Sequence, residues 1–260
     1  FEAFMGSAVK DRVENAEGVM IVTTPELRER VPVNELPSLK NIVYVLADKE
    51  AEEESKHEHD HDINENVALI NYHAEMKEAS DEFEIEWLEL EDPLILHYTS
   101  GSTGKPKGVV HVQNAMIGHY QTGKWVLDMK EDDVYWCTAD PGWVTGTSYG
   151  IFAPYLNGVT NVIKGGRFSV DGWYKCLQDH KVNIWYSAPT AFRLLMARGE
   201  GKEKKYDLSS VKHILSVGEP LNPEVIYWGL EAYDLPIHDT WWMTETGHQL
   251  ICNYPSMAIK

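Results

Sequence analysis

No apolar run in these 260 residues approaches the ~18 needed to cross a bilayer as a helix, and no secretory signal pattern opens the chain. That excludes a helical membrane span from the expected architecture. Cysteine is scarce. The three present, Cys137, Cys176 and Cys252, lie far apart and match no metal or redox spacing, which points to reduced thiols and a cytoplasmic location. Positive charge is also short: 23 Lys and Arg stand against 41 Asp and Glu, a net charge of −18. Residues 48–66 hold nine acids and two lysines, and residues 75–92 nine acids and one lysine, so the span 48–92 carries −15 of the total. The acidity is a local, solvated feature. With no basic patch elsewhere, nucleic acid is excluded as a partner.

What remains is ordinary globular composition, 43% hydrophobic and 25% charged, in a chain long enough to bury a sizeable core. The chain opens "FEAFMGSAVKDRV" and stops at "YPSMAIK", which reads as a piece of a longer protein. Short β-rich runs, "VMIVTT" (19–24) and "NIVYVLA" (41–47), flank a helical "PELRERV". Residues 48–66 contain almost no apolar group and read as a mobile loop, and "LINYHAEMKEA" (69–79) reads as a helix. From "PLILHYTS" (93–100) the chain alternates strand, polar turn and helix up to "PIHDTWWMTETG" (236–247). This rhythm predicts an α/β fold of mostly parallel sheets covered by helices. Ligands of such folds sit beyond the carboxyl ends of strands. The unusual polar residues fall there, after Tyr98, Asp140, Val217 and Trp242.

One stretch asks for more than packing. "YTSGSTGKPKGVVH" (98–111) crowds glycines, hydroxyls and lysines into one loop. Glycine is entropically costly to order, but such a loop presents open N–H groups, hydroxyl donors and positive charge together, which suits a polyphosphate. It is not a P-loop, since the G-x-x-x-x-G-K-[ST] spacing is absent. "SVGEPLNP" (216–223) also reads as a plain strand-to-helix turn with Asn222 capping a helix from Pro223. In "HDTWWMTETG" (238–247), period-2 alternation sends Trp241 and Trp242 to opposite faces, so one indole is expected in the core. "HEHDH" (57–61) satisfies the zincin pattern H-E-x-x-H, but its acidic neighbours offer no apolar stripe to hold a helix, so no metal site is expected.

Together these motifs, with "YSAPTAFR" (186–193) and "DPGWVTGTSYG" (140–150), resemble the AMP-forming acyl-CoA synthetases of the adenylate-forming superfamily, and within them the acetate-activating members. The resemblance implies part of a large N-terminal adenylate-forming domain. The implied chemistry uses ATP, Mg²⁺ and CoA: a carboxylate, here acetate, attacks the α-phosphate, pyrophosphate leaves, and CoA takes the acyl group. It implies that Thr99, Ser102, Thr103, Gly104 and Lys105 form the phosphate loop, with Lys105 catalytic. Gly218, Glu219 and Pro220, with Asp239, Thr240, Trp241, Trp242 and Met243, would hold the nucleotide. Thr244 would contact the α-phosphate and Glu245 would hold Mg²⁺, both catalytic. Trp143, Val144, Thr145, Val217 and Trp242 would shape a small acyl pocket, with Thr145 also bordering CoA. The family's smaller C-terminal domain, with its adenylation lysine, has no counterpart in these residues, so the chain by itself is expected to be inactive. The alternatives left open are a ligase for propionate or a longer acid, and a nucleotide-binding module without catalysis.

Overall fold

The computed structural model describes residues 4–46, 66–99, 106–199 and 201–257. The loop expected over 48–66, apart from Asn66, and the "HEHDH" motif lie outside the described residues. The described chain divides into two compact units. One comprises the residues up to Leu88 together with Tyr98–Val109; the other comprises Glu89–His97 and the residues from Val110 onward.

In the first unit, helix α1 (Gly6–Asn15) precedes strand β1 (Met20–Thr23), the short helix α2 (Pro25–Arg28), β2 (Asn41–Tyr44), β3 (Ala68–Asn71) and helix α3 (Tyr72–Glu78). The three strands run parallel in the order β1-β2-β3, with Ile21 opposite Ile42 and Ile42 opposite Leu69. Leu36, Leu39, Ile42 and Val67 form its buried core. The expected helix over 69–79 is thus corrected. Its first three residues pair as β3, and the helix begins only after Asn71, whose side chain accepts from the N–H groups of His73 and Ala74. That cap separates strand from helix.

Strands β4 (Pro93–Thr99) and β5 (Lys107–Val112) pair with each other on either side of the glycine-rich loop.

The second unit continues with α4 (Ala115–Trp125), β6 (Val134–Cys137), α5 (Val144–Thr147), a π-helical turn (Ser148–Phe152), α6 (Ala153–Leu156) and β7 (Thr160–Val162). Then come α7 (Val170–Asp179), β8 (Ile184–Ser187), α8 (Pro189–Gly199), β9 (His213–Ser216), α9 (Pro223–Tyr233), β10 (Ile237–Trp241) and β11 (Ile251–Cys252). Six strands form one sheet in the order β11-β10-β9-β8-β6-β7, parallel throughout except for β11.

The near-continuous apolar strands are explained by burial on both faces. Trp136, Trp185 and Ile214 point into one core with Leu177, Phe192 and Val225. Their chain neighbours Tyr135, Ile184, Tyr186 and Leu215 point into the other, with Leu127 and Tyr149. Period-2 alternation therefore feeds two cores rather than one core and solvent.

The stretch after Asp140 turns helical from Val144. Gly146 permits this: a Cβ there would lie 2.0 Å from the carbonyl oxygen of Asp140, so only glycine lets α5 lie against that backbone. Pro223 opens α9 as expected, and Asn222 holds the N-cap position, but its side chain makes no capping hydrogen bond.

Candidate functional site

The carboxyl ends of β6, β8, β9 and β10 line up through the register Cys137–Tyr186, Ser187–Ser216 and Ser216–Asp239. Polar side chains follow the same edge. Thr138 and Ser187 share a hydroxyl hydrogen bond of 2.5 Å, and Ser216 donates to Asp239 Oδ1 at 3.0 Å. Burial raises the Asp239 carboxyl above its ordinary range, against the opposing hydrogen bond from Ser216. The backbone N–H of Asp239 donates to Asn253 Oδ1 at 2.9 Å.

Beyond this edge a cavity of about 560 Å³ opens. Trp143, Thr145, Val217, Gly218 and Glu219 line it, so the structure gathers residues from "PGWVTG" and "SVGEP" around one space. Thr145 and Val217 are buried, while Trp143 is half exposed. Gly218 adopts φ +87°, and a Cβ there would meet nothing within 4 Å. The conformation, not crowding, therefore asks for glycine, and the backbone faces open space. Glu219 is held by two partners: Thr190 Oγ1 donates at 2.6 Å and Arg193 Nη2 at 2.5 Å, and Arg193 also donates to Thr190. Both partners belong to the "YSAPTAFR" stretch at the start of α8.

The "DTWWMTETG" stretch runs from β10 into a 3₁₀ turn, Thr244–Thr246. Thr240 is buried, its hydroxyl donating to the carbonyl of Ser216 at 2.8 Å and meeting Tyr186 Oη at 2.7 Å. Trp241 is exposed and Trp242 packs against the second core, as the alternation requires. Trp242 meets Tyr149 edge-on at 5.1 Å, and its buried Nε1 has no hydrogen-bond partner among the described residues. The indole does not itself line the cavity; Val217, which belongs to the same core, does. Val144 and Pro220 lie beside the cavity-lining residues in the chain without lining it.

Met243 precedes the turn, and its N–H donates to Thr246 Oγ1 at 3.1 Å. The carbonyl of Thr244 accepts from His111 Nε2 at 2.7 Å, and that of Gly247, at φ +76°, from His119 Nε2 at 2.8 Å. Burial holds the His119 imidazole neutral, with its pKa pushed down to about 4. Glu245 is exposed and makes no hydrogen bond or ion pair among the described residues. A free, hard carboxylate at the mouth of a turn is the donor type that Mg²⁺ takes alongside its waters.

Thr99 ends β4 in the first unit. Ser102, Thr103, Gly104 and Lys105 lie outside the described residues. Sequence reasoning missed Phe168 and Trp173, which line the cavity, and the histidines that hold the turn. Thr190 and Arg193 stood inside a recognised motif, but only the fold shows that they grip Glu219.

The description "AMP-binding enzyme" belongs to the family model that matches residues 3–259. Acetyl-coenzyme A synthetase from Bacillus subtilis (strain 168) is 60% identical over 260 residues, all of this chain and 43% of that protein. The acetyl-coenzyme A synthetase of Rubrobacter xylanophilus is 38% identical over 276 residues, covering 99% of this chain and 41% of its own length. Among solved structures, a Brucella canis acyl-CoA synthetase superposes with a TM-score of 0.85 at 28% identity, covering 100% of this chain and 44% of that one. The chain thus spans less than half the length of the relatives it matches. With its parallel sheet, its carboxyl-edge cavity and a family match across nearly its whole length, the chain belongs to the AMP-binding enzymes.

Proposed function

We propose that this chain is the nucleotide- and acyl-binding part of an AMP-forming acetate–CoA ligase. The observation that carries the reading is the 60% identity to an acetyl-coenzyme A synthetase over the whole chain, coupled to a cavity at the carboxyl edge that three of the family-like motifs line. In this reading acetate attacks the α-phosphorus of ATP, pyrophosphate leaves with its electron pair, and the thiol of CoA then displaces AMP from acetyl-adenylate.

Phosphoryl chemistry needs positioning and charge neutralisation more than a nucleophilic side chain. The backbone of Gly218 and the tethered Glu219, with Pro220, Asp239, Thr240, Trp241 and Met243, form the nucleotide wall. Thr244 turns its hydroxyl to the α-phosphate. Glu245 holds Mg²⁺, which when bound neutralises charge on the phosphates. Thr99, Ser102, Thr103, Gly104 and Lys105 supply donors to the β- and γ-phosphates. Trp143, Thr145 and Val217 wall the acyl group, with Val144 beside them in the chain and Trp242 packed on the core that Val217 joins, and Thr145 faces the incoming CoA. Three unpaired cysteines fit a cytoplasmic enzyme.

A second reading, a ligase for propionate or a longer acid, draws support from the cavity itself, since about 560 Å³ is more than an acetyl group fills. In the first reading the surplus is the path of the CoA arm. Pyrophosphate release by the full-length protein, measured with acetate, propionate and butyrate, separates the two. A kcat/KM highest for acetate supports the first; a preference for the longer acids overturns it in favour of the second.

A further inference from the structure

Two buried histidines from separate elements reach the same short turn. His111, on β5, approaches the carbonyl of Thr244 at 2.7 Å, and His119, on α4, the carbonyl of Gly247 at 2.8 Å. A carbonyl only accepts, so both rings carry their proton on Nε2. A 3₁₀ turn of three residues cannot satisfy its own last carbonyls. The histidines supply the missing donors at both ends of the segment that carries Thr244 and Glu245.

The arrangement is costly if packing were its purpose. His119 is fully buried and His111 nearly so, and the Nδ1 of each has no partner among the described residues. An apolar side chain would fill either place without burying an unsatisfied nitrogen. The surroundings are also built for close approach. Gly247 sits at φ +76°, where a Cβ would come within 3.3 Å of His111 Cε1, and a Cβ on Gly118 of α4 would lie 2.2 Å from His248 Cδ2. His97 backs the ring of His111 edge-on at 5.2 Å, and Phe152 stacks on His119 at 5.7 Å, fixing both ring planes.

We infer that His111 and His119 are positioning residues that clamp the Thr244–Gly247 turn from its two ends and so aim Thr244 and Glu245 at the phosphates and their metal. The inference rests on the functional reading above. Neither ring touches substrate; each acts through a backbone carbonyl. His111 is also the last residue of "YTSGSTGKPKGVVH", so the end of one nucleotide motif holds the other in place.

The test uses the full-length protein. His111→Ala and His119→Ala are expected to lower kcat for acetate-dependent ATP–pyrophosphate exchange and to raise the Mg²⁺ concentration needed for half activation. Outer-shell partners of metal ligands typically account for ~10–100-fold. KM for acetate should stay within about twofold, since a lost turn anchor touches no acyl contact. His111→Gln and His119→Gln, whose amide nitrogen reaches near the Nε2 position, should recover most of the activity. Folded Ala variants with unchanged kcat and Mg²⁺ dependence, or Gln variants as impaired as Ala, would overturn the clamp. Nitrogen NMR of the wild-type rings decides the case even where an Ala variant fails to fold. Both must be Nε2-protonated, and an Nδ1–H tautomer at either ring removes its hydrogen bond and the inference with it. A wild-type protein inactive on acetate would instead sink the substrate reading, leaving the clamp to the tautomer result.

Discussion

Arg193, one turn into α8, closes on the carboxylate of Glu219 in the loop after β9, and Thr190 closes on the same oxygen. Both charged groups are more than a third exposed, so the pair adds little to folding. Its effect is local: the carboxylate is fixed at the rim of the cavity beside a glycine whose φ is +87°. Arg193→Gln should therefore leave the thermal midpoint nearly unchanged. It should raise KM for ATP through the lost anchor by about 1 kcal/mol, or roughly fivefold. Equal loss with every substrate, or a large drop in thermal midpoint, would make the pair structural instead.

Glu245→Gln should impair adenylation far more than nucleotide binding. The exposed carboxylate is proposed to hold Mg²⁺ against charge developing on the phosphates, an interaction realised mainly in the transition state. A fall in kcat of at least ~100-fold, about 2.7 kcal/mol, is expected. The Kd for ATP measured without turnover should move by less than about threefold. Unchanged turnover at saturating Mg²⁺ removes Glu245 from the site.

Acid should weaken the fold through a buried histidine pair. His213 is buried, its Nε2 within 3.1 Å of the Val126 carbonyl and its ring 4.7 Å from that of His238. Burial pushes its pKa down to about 4, with the nearby His238 adding to the shift, and burial lowers His238 as well. A histidine whose folded pKa lies below its unfolded value, ~6.5, is protonated first in the unfolded chain. Its stabilisation is complete above pH ~6.5 and is lost as pH falls toward 4. The thermal midpoint should decline across that window, and His213→Gln, which keeps a donor toward Val126 without a titrating ring, should flatten the decline. An identical decline in the variant would assign it to other groups.

The strand ends were legible because apolar strands and polar turns differ sharply in composition, and Trp241 and Trp242 part to opposite sides as alternation demands. "VALIN" (67–71) was not legible: its apolar run of four, Val67–Ile70, fits a strand or a helix, and only pairing with β2 and the Asn71 cap decide between them. His111 and His119 were silent for another reason. Their partners, Thr244 and Gly247, lie 133 and 128 residues away, and each bond goes to a backbone carbonyl, which leaves no residue type to pair in the sequence. Phe168, just before α7, and Trp173, within it, carry no motif, and only the fold turns them to the cavity that Val217 also lines.

Trp242 should set the limit on acyl length, although its indole stands behind the cavity surface. Val217 belongs both to the cavity wall and to the core against which Trp242 packs, and Tyr149 supports the indole from another side at 5.1 Å. On this reading the large ring backs the core on the Val217 side, so that Val217 cannot yield to a longer chain. Lost contacts alone discriminate weakly, since one methylene in an apolar pocket is worth ~1–3 kcal/mol. A wall that cannot retreat does more, because overlap is penalised more steeply than a lost contact. Trp242→Gly in the full-length protein should raise kcat/KM for butyrate and lower it for acetate, reversing the order of the two acids. It should also lower stability, by up to ~3 kcal/mol, because the indole is only partly buried. A purely structural indole predicts that same loss of stability with activity falling uniformly for every acid. A folded Trp242→Gly enzyme that still prefers acetate to butyrate would remove the indole from the acyl pocket.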